Sequence, residues 1–333
     1  MKLLLLYSVL ANPVHRPLFF QNEDTELTVT KFNPNHRLIS TAPGKQEWMT
    51  EQQIFKLYRS KTKFIDLTDG DYSSFTQKKR NPVYPTKTSE TQTVNDFIKK
   101  VSTDRMETFL TTFSGFHTRY YNSKSGKESS QWLFDQLSGI SGRSDVKLTA
   151  TKFEHSWQQF SVICRFEKVG NTNDEIVILS AHQDSVNQWN PGADDDGSGT
   201  TTVFEALTVL YENGFVPDRP LEFHFYSGEE GGLLGSQKVV KKYVEDDVNV
   251  YAVLHNDMTG YQPDGIAPVI GISTDNVDKK LSKVLQIISD EYAGVKWVNT
   301  KCGYACSDHA SWTKAGIPAA FTFEAAFENQ RYF

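Results

Sequence analysis

The 333-residue chain is short of cysteine, of excess positive charge and of long apolar runs. Lys and Arg number 35 against 41 Asp and Glu, a net charge of -6. That balance argues against nucleic acid as a partner, which would need a basic face. Nothing approaches the ~20 consecutive apolar residues of a membrane-spanning helix, so no membrane partner is expected. Asn-x-Ser/Thr is absent, so N-glycosylation lends no support to secretion. The three cysteines are Cys164, Cys302 and Cys306, an odd count that leaves at least one unpaired within a secreted chain. Cys302 and Cys306 are close enough in sequence to close a small loop, whereas Cys164 lies in the apolar stretch FSVICRF and reads as a buried thiol. Hydrophobic residues at 38% and aromatics at 13% are enough for a packed core, and the length suits one large domain or two ordinary ones.

The N-terminus differs from the rest. Lys2 precedes the mostly apolar run Leu3 to Ala11, which fits a secretory signal peptide over 1–18 or, alternatively, a buried first strand. Residues 20 to 83 are polar and weakly periodic. They run to the basic cluster Lys78, Lys79, Arg80 and the Pro-rich linker Asn81 to Pro85. A propeptide over 19–83 with a processing site is expected, with an ordinary small N-terminal subdomain as the other reading. Residues 84–333 would then form the mature domain, secreted and monomeric.

From Val94 the pattern is that of an α/β protein. Helical spacing covers Val94 to Phe113, Ser129 to Leu137, Gly199 to Leu210, Leu233 to Tyr243 and Leu281 to Tyr292. Strands are expected at Ile176 to Ala181, Leu221 to Tyr226, Val248 to Leu254 and Ala319 to Phe323. Their alternation implies an α/β fold with a mostly parallel central sheet covered by helices on both faces.

Acidic and His residues cluster where these strands end, which is where open α/β sheets bind ligands. They are His182-Gln183-Asp184, the segment PGADDDGSG (Pro191 to Gly199), Gly228-Glu229-Glu230-Gly231, and His255-Asn256-Asp257. Each alone is a common loop. Together, three consecutive aspartates bracketed by glycines need a cation to offset their repulsion. Adjacent Glu229 and Glu230 point in different directions. One can hold a metal while the other serves as general base, the division of labour that metal-assisted hydrolysis requires.

The motifs AHQDS, PGADDDGSG, SGEEGGLLGS, HNDMTGY and CGYACSDHASW resemble, in that order, those of the secreted two-zinc leucyl aminopeptidases of bacteria and fungi, over roughly Thr91 to Asn329. The resemblance implies a single domain with a central mixed, mostly parallel sheet sandwiched by helices, peptide substrates and two Zn2+ ions per subunit. It implies Asp195 as the carboxylate bridging both ions, His182 and Asp257 as further ligands of one, and Glu230 as a ligand of the other. Glu229 would be the general base and Asp184 the carboxylate that orients His182. It also implies a Cys302–Cys306 disulfide, and hence an oxidising compartment. Met258, Tyr304, Cys306, Phe323 and Phe327 fall where the family builds its apolar side-chain pocket, although Met and Phe serve as readily in a core. His255 and His309 are expected to be structural.

One departure stands out. The family pattern continues past Phe327 to an Asn-Pro-x-Ile-His segment whose His is the last ligand of the second zinc. Here Phe327-Glu328-Asn329-Gln330-Arg331-Tyr332 is followed by Phe333. Three readings follow: a C-terminally truncated sequence, a real chain with one good and one crippled zinc site, or a degenerate homologue that only binds. The competing functions are a pseudo-peptidase and a single-zinc enzyme of the glutaminyl-cyclase kind. The unbroken PGADDDGSG and the intact Glu229-Glu230 pair speak against the latter.

Overall fold

The structure, a computed structural model, describes residues 36–42, 44–60, 62–69, 82–186, 192–262 and 264–329. The expected signal peptide and the basic cluster at 78–80 lie outside these residues.

An N-terminal unit comes first: β1 (His36–Ala42), β2 (Lys45–Thr50), α1 (Glu51–Arg59) and β3 (Ile65–Asp66). Its strands form a small antiparallel sheet in the order β2-β1-β3. Weak periodicity in the sequence concealed this unit, because strands of two to seven residues provide too few alternations to register.

The remaining elements are α2 (Thr91–Ile98), α3 (Thr103–Ser114), α4 (Lys124–Gly139), β4 (Val146–Phe153), β5 (Ser161–Lys168), β6 (Ile176–His182), α5 (Gly197–Glu212), β7 (Leu221–Tyr226), α6 (Leu234–Glu245), β8 (Val250–Asn256), β9 (Val269–Ser273), α7 (Lys279–Tyr292), β10 (Lys296–Thr300), α8 (His309–Lys314) and β11 (Ala319–Phe323). The eight strands from β4 to β11 form one mixed sheet in the order β10-β9-β11-β8-β6-β7-β5-β4. Pairs β10/β9, β11/β8, β8/β6 and β6/β7 are parallel, and β11/β9, β7/β5 and β5/β4 are antiparallel.

Two hydrophobic cores cover the two faces. Phe109 and Phe113 of α3, Leu133 and Leu137 of α4, and Val203 and Leu207 of α5 pack on Leu221, Phe223 and Phe225 of β7. On the other face Val239 and Tyr243 of α6, Leu281 and Val284 of α7 and Trp312 of α8 pack against Val177, Val253 and Ala319. Strand β7 (LEFHFY) shows the period-two logic within a buried strand. Its odd positions are apolar, while Glu222 and His224 point to the opposite face and bond one another at 2.8 Å, with Tyr243 donating to Glu222. A buried polar row survives because its members satisfy each other.

The single helix expected over Val94 to Phe113 is two helices. Ser102 interrupts it: its hydroxyl accepts the Arg105 N–H at 3.2 Å and caps α3. Glu205 of α5 then takes the Ser102 N–H at 2.7 Å and the Arg105 guanidinium at 2.6 Å, which fixes the break. The strands β4, β5, β9 and β10 were not anticipated. Three of them, β4, β9 and β10, lie in the outer parts of the sheet with partly exposed faces, which dilutes the apolar signal.

The parallel trio β8-β6-β7 directs its three C-terminal ends the same way. His182 ends β6, Gly228 to Glu230 follow β7 and Asp257 follows β8, so one edge of the sheet gathers the acidic motifs.

Phe223 is fully buried in the centre of this arrangement. Phe223→Ala is expected to cost about 3–5 kcal/mol of folding stability, read from the urea-unfolding midpoint. A loss below about 1 kcal/mol would contradict the core assignment.

Candidate metal centre

His182 sits at the last position of β6, its side chain buried. Its Nε2 lies 3.1 Å from Asp195 Oδ1 and 3.5 Å from Asp257 Oδ1. Its other ring nitrogen, Nδ1, lies 3.4 Å from Asp184 Oδ1. Neither nitrogen forms a hydrogen bond of proper geometry among the described residues, and Asp257 Oδ1 and Glu230 Oε1 are also buried without one. Buried polar atoms left unpaired cost free energy. Donor atoms that face each other without bonding are arranged for a cation to lie between them. His with carboxylates is a donor set suited to zinc and similar divalent ions.

The three consecutive aspartates do three different things. Asp194 Oδ1 accepts the Gly260 N–H at 3.1 Å and the Ser198 hydroxyl at 3.1 Å. Asp195 faces His182. Asp196 accepts backbone N–H groups from His182 (3.1 Å), Gly199 (2.8 Å) and Met258 (3.0 Å), which caps α5 and ties β6, α5 and the end of β8 together. Donor atoms of His182, Asp196 and Asp257 all lie within 4.8 Å of one another, so Asp196 is near enough to be a ligand. Its oxygens also accept three N–H donors, which hold the loop, whereas Asp195 Oδ1 faces His182 Nε2.

Asp184 does more than expected. One of its oxygens accepts the Glu229 N–H at 3.0 Å and the other the Glu230 N–H at 3.2 Å. The same carboxylate therefore faces His182 and clamps the backbone of the Glu pair. Gly228, with φ of +74°, supplies the left-handed turn that brings the pair off β7.

The electrostatics are those of crowded, buried acids. Burial first, then repulsion from Asp195, pushes the Glu230 carboxyl up to about 8. Burial, reinforced by Asp308 and Glu230 against the pull of His182, raises Glu229 well above the usual carboxylate range. For His182 burial alone would lower the pKa, but Asp257, Asp184 and Asp195 outweigh it and favour the imidazolium. In Asp195 burial is likewise outweighed by the contact with His182, and its pKa falls.

Several participants carried no clear signal in the sequence. Arg119 is fully buried beneath the cluster. It donates from Nε to Gln183 O at 2.9 Å and from Nη2 to Gly192 O at 2.6 Å, and lies 4.4 Å over the Phe113 ring. Asp308 is buried with neither carboxylate oxygen in a well-formed hydrogen bond among the described residues, and burial pushes its carboxyl up to about 8 against the pull of His182. Lys63 of the N-terminal unit is partly buried. Burial would depress its pKa, but Glu230, Asp195, Tyr304 and Glu229 outweigh that and hold the ammonium charged. No helical or strand period could have linked Lys63 to Glu230, so distant in the chain.

Among the expected apolar-pocket residues, Tyr304, Cys306, Phe323 and Phe327 pack in one cluster with Cys302 and Phe321. Met258 stands apart from it, fully buried with φ of +55°, its N–H on Asp196 and its carbonyl accepting from Glu324. Cys302 and Cys306 are joined by a disulfide, and Cys164 is a buried free thiol. His255 is held between Ser180 (3.0 Å) and Ser307 (2.8 Å), and His309 stacks on Phe321.

Residues 161–332 match Peptidase family M28. Leucine aminopeptidase 1 of Chaetomium globosum is 41% identical over 310 residues, covering 87% of this chain and 76% of that protein. Among solved structures, the Legionella pneumophila LapA aminopeptidase superposes with a TM-score of 0.75 at 28% identity, covering 91% of this chain and 86% of that one. Porphyromonas gingivalis glutaminyl cyclase shares the fold at a TM-score of 0.55 and 18% identity, covering 70% of this chain and 87% of that one.

The division between Asp195 and Asp196 can be measured. Asp195→Asn should lower divalent-metal affinity by more than about tenfold while leaving the melting temperature of the metal-free protein unchanged or raised, since a crowded charge is removed. Asp196→Ala, which strands three buried N–H donors, should lower the stability of the metal-free protein by about 2–4 kcal/mol. The reverse pattern would exchange the two assignments.

Proposed function

This chain belongs to Peptidase family M28, and from that premise we propose that it is a zinc-dependent aminopeptidase, with Glu229 as general base, that removes N-terminal residues, Leu and other large apolar ones foremost, from peptides. The observation that carries the reading is the meeting of His182 Nε2 with Asp195 Oδ1 and Asp257 Oδ1 beside a Glu pair whose backbone is clamped by Asp184.

His182, Asp195 and Asp257 would hold one ion, and Asp195 with Glu230 would contribute to a second. Bound there, zinc supplies Lewis acidity to the scissile carbonyl and acidity to a water. The chain's own residues do the rest. Asp184 holds the Glu229 and Glu230 backbones in place through two N–H bonds. Burial raises the pKa of Glu229 above that of an ordinary carboxylate, which suits a group that accepts a proton from the attacking water and returns it to the leaving amine. The free α-amino group of a peptide N-terminus would bind near the second ion and the acidic side chains around it. The cluster of Tyr304, Phe321, Phe323 and Phe327 offers an apolar surface for the first side chain. Leucine in the name of the Chaetomium relative agrees with that preference. Secretion, with a removable segment over 19–83, is part of the same proposal and suits the Cys302–Cys306 disulfide.

Glu229→Gln should leave bound zinc unchanged and reduce hydrolysis of a leucine anilide by about 10²–10⁴-fold. A residual rate within about tenfold of the parent would reject Glu229 as the base. A chelator should abolish hydrolysis by the parent, and added zinc should restore it.

A further inference from the structure

The apolar cluster of Tyr304, Phe321, Phe323 and Phe327 is brought beside the proposed metal ligands by sheet register. Strand β11 pairs with β8 so that Thr322 stands opposite Asn256, and the Glu324 N–H donates to the Met258 carbonyl at 3.1 Å. Phe323 is therefore level with Asp257. The other two members come from irregular chain. Tyr304 lies in the loop closed by the Cys302–Cys306 disulfide, and Phe327 opens a 3-10 turn beyond β11. A pocket side built from loops is only as well placed as its anchors.

Both loops are anchored, directly or through Thr300, by one turn, Thr274-Asp275-Asn276, which leaves the end of β9. The Asp275 carboxylate spreads over the disulfide loop: Oδ1 accepts the Cys302 N–H at 3.3 Å and Oδ2 the Gly303 N–H at 2.7 Å. The Ser273 hydroxyl donates to the same Oδ1 at 3.1 Å. Asn276 then donates from Nδ2 to the Tyr304 carbonyl at 2.9 Å. Its φ is +51°, a left-handed conformation that Asn adopts more readily than most residues. Thr274 donates its N–H (3.1 Å) and its hydroxyl (2.9 Å) to Thr300 O, and Thr300 Oγ1 accepts the Phe327 N–H at 2.8 Å. None of these bonds involves a residue of the metal centre. Hydrogen bonds to an ionised carboxylate are roughly twice as strong as neutral ones, which makes Asp275 the chief anchor of the set.

We propose that Asp275 and Asn276 are positioning residues for specificity: by holding the backbone from Cys302 to Tyr304 they set the spacing between Tyr304 and the Phe323–Phe327 side of the cluster, and so the size of the first side chain the enzyme prefers. They act through Tyr304 and not on the substrate. An apolar pocket discriminates by about 10–200-fold per methylene. A loosened Tyr304 loop forfeits part of that for leucine and little for alanine, whose single methyl group has little to place there. This inference rests on the reading of the cluster as the side-chain pocket.

The test compares leucine and alanine anilides as substrates of the zinc-loaded full chain. Calorimetric binding of leucine and alanine hydroxamates gives a second readout that needs no turnover. Asp275→Ala should raise the KM for the leucine anilide and cut the leucine-over-alanine ratio of kcat/KM at least about fivefold. Its kcat on the alanine anilide should stay within about twofold of the parent, with zinc content unchanged. Asp275→Asn, which keeps one acceptor oxygen, should fall between. Asn276→Gly keeps the left-handed turn and removes only the amide, so it should move the ratio the same way even if Asp275→Ala does not fold. The hydroxamate affinities should follow the same order. A ratio at the parent's value in Asn276→Gly and in every folded Asp275 variant overturns the inference, as does an equal loss of kcat on both anilides. Tyr304→Ala and Phe327→Ala separate the two readings. A parental ratio in both overturns the pocket reading and this inference with it, whereas a fall in both with no change in the turn variants overturns the inference alone. Neither hydrolysis nor hydroxamate binding by the parent overturns the peptidase reading and everything built on it.

Discussion

Asp184, Asp195, Asp257, Glu229 and Glu230 crowd around one imidazole at the C-terminal edge of a buried sheet, and the rest of the structure is arranged to tolerate that charge. Water is excluded from most of these groups, so their repulsion is weakly screened. Part of the relief comes from backbone donors. Asp184 accepts the N–H groups of Glu229 and Glu230, and Asp196 beside it accepts those of His182, Gly199 and Met258. A carboxylate used in this way is stabilised and also ties loops together, so the same bonds lower the electrostatic cost and fix the geometry. The remaining repulsion is the driving force for a cation.

That view gives separate meaning to residues that look alike. Aspartates 194, 195 and 196 are identical and consecutive, yet only Asp195 faces His182 Nε2. Glu229 and Glu230 share a clamp but differ in their surroundings: Asp195 is the chief charge acting against Glu230, while Glu229 feels His182 and Asp308 more strongly. Arg119 adds a buried positive charge that holds the carbonyls of Gln183 and Gly192. It holds two points of the connection between β6 and α5 without standing among the proposed ligands. Lys63, remote in sequence, is held charged by Glu230, Asp195 and Glu229 against the effect of burial.

Much of this was legible in one dimension. Strands β6, β7, β8 and β11 announced themselves as short buried apolar runs, and each chemical motif of the site followed one of them or opened a helix. The motifs carried their order, hence the family resemblance, and the Cys302–Cys306 pair carried its loop. The break between α2 and α3 was less legible, because it depends on Glu205 of α5 reaching back to Ser102 and Arg105. Strands β9 and β10 pair with each other and, through β9, with β11. That partnership is set by distant chain segments and leaves no period in either strand alone.

The sequence by itself determined the chemistry available: which acids and which His exist, and that they follow successive strands of a parallel sheet, because side-chain identity and strand punctuation are local properties. Only the tertiary structure decided which oxygen faces which nitrogen. It set Asp195 Oδ1 3.1 Å from His182 Nε2 and gave Asp184 its hold on the backbone of the Glu pair. Those pairings are set by hydrogen bonds and close contacts between separate segments of the chain, and such bonds form only after the sheet and its two covering layers have fixed the distances.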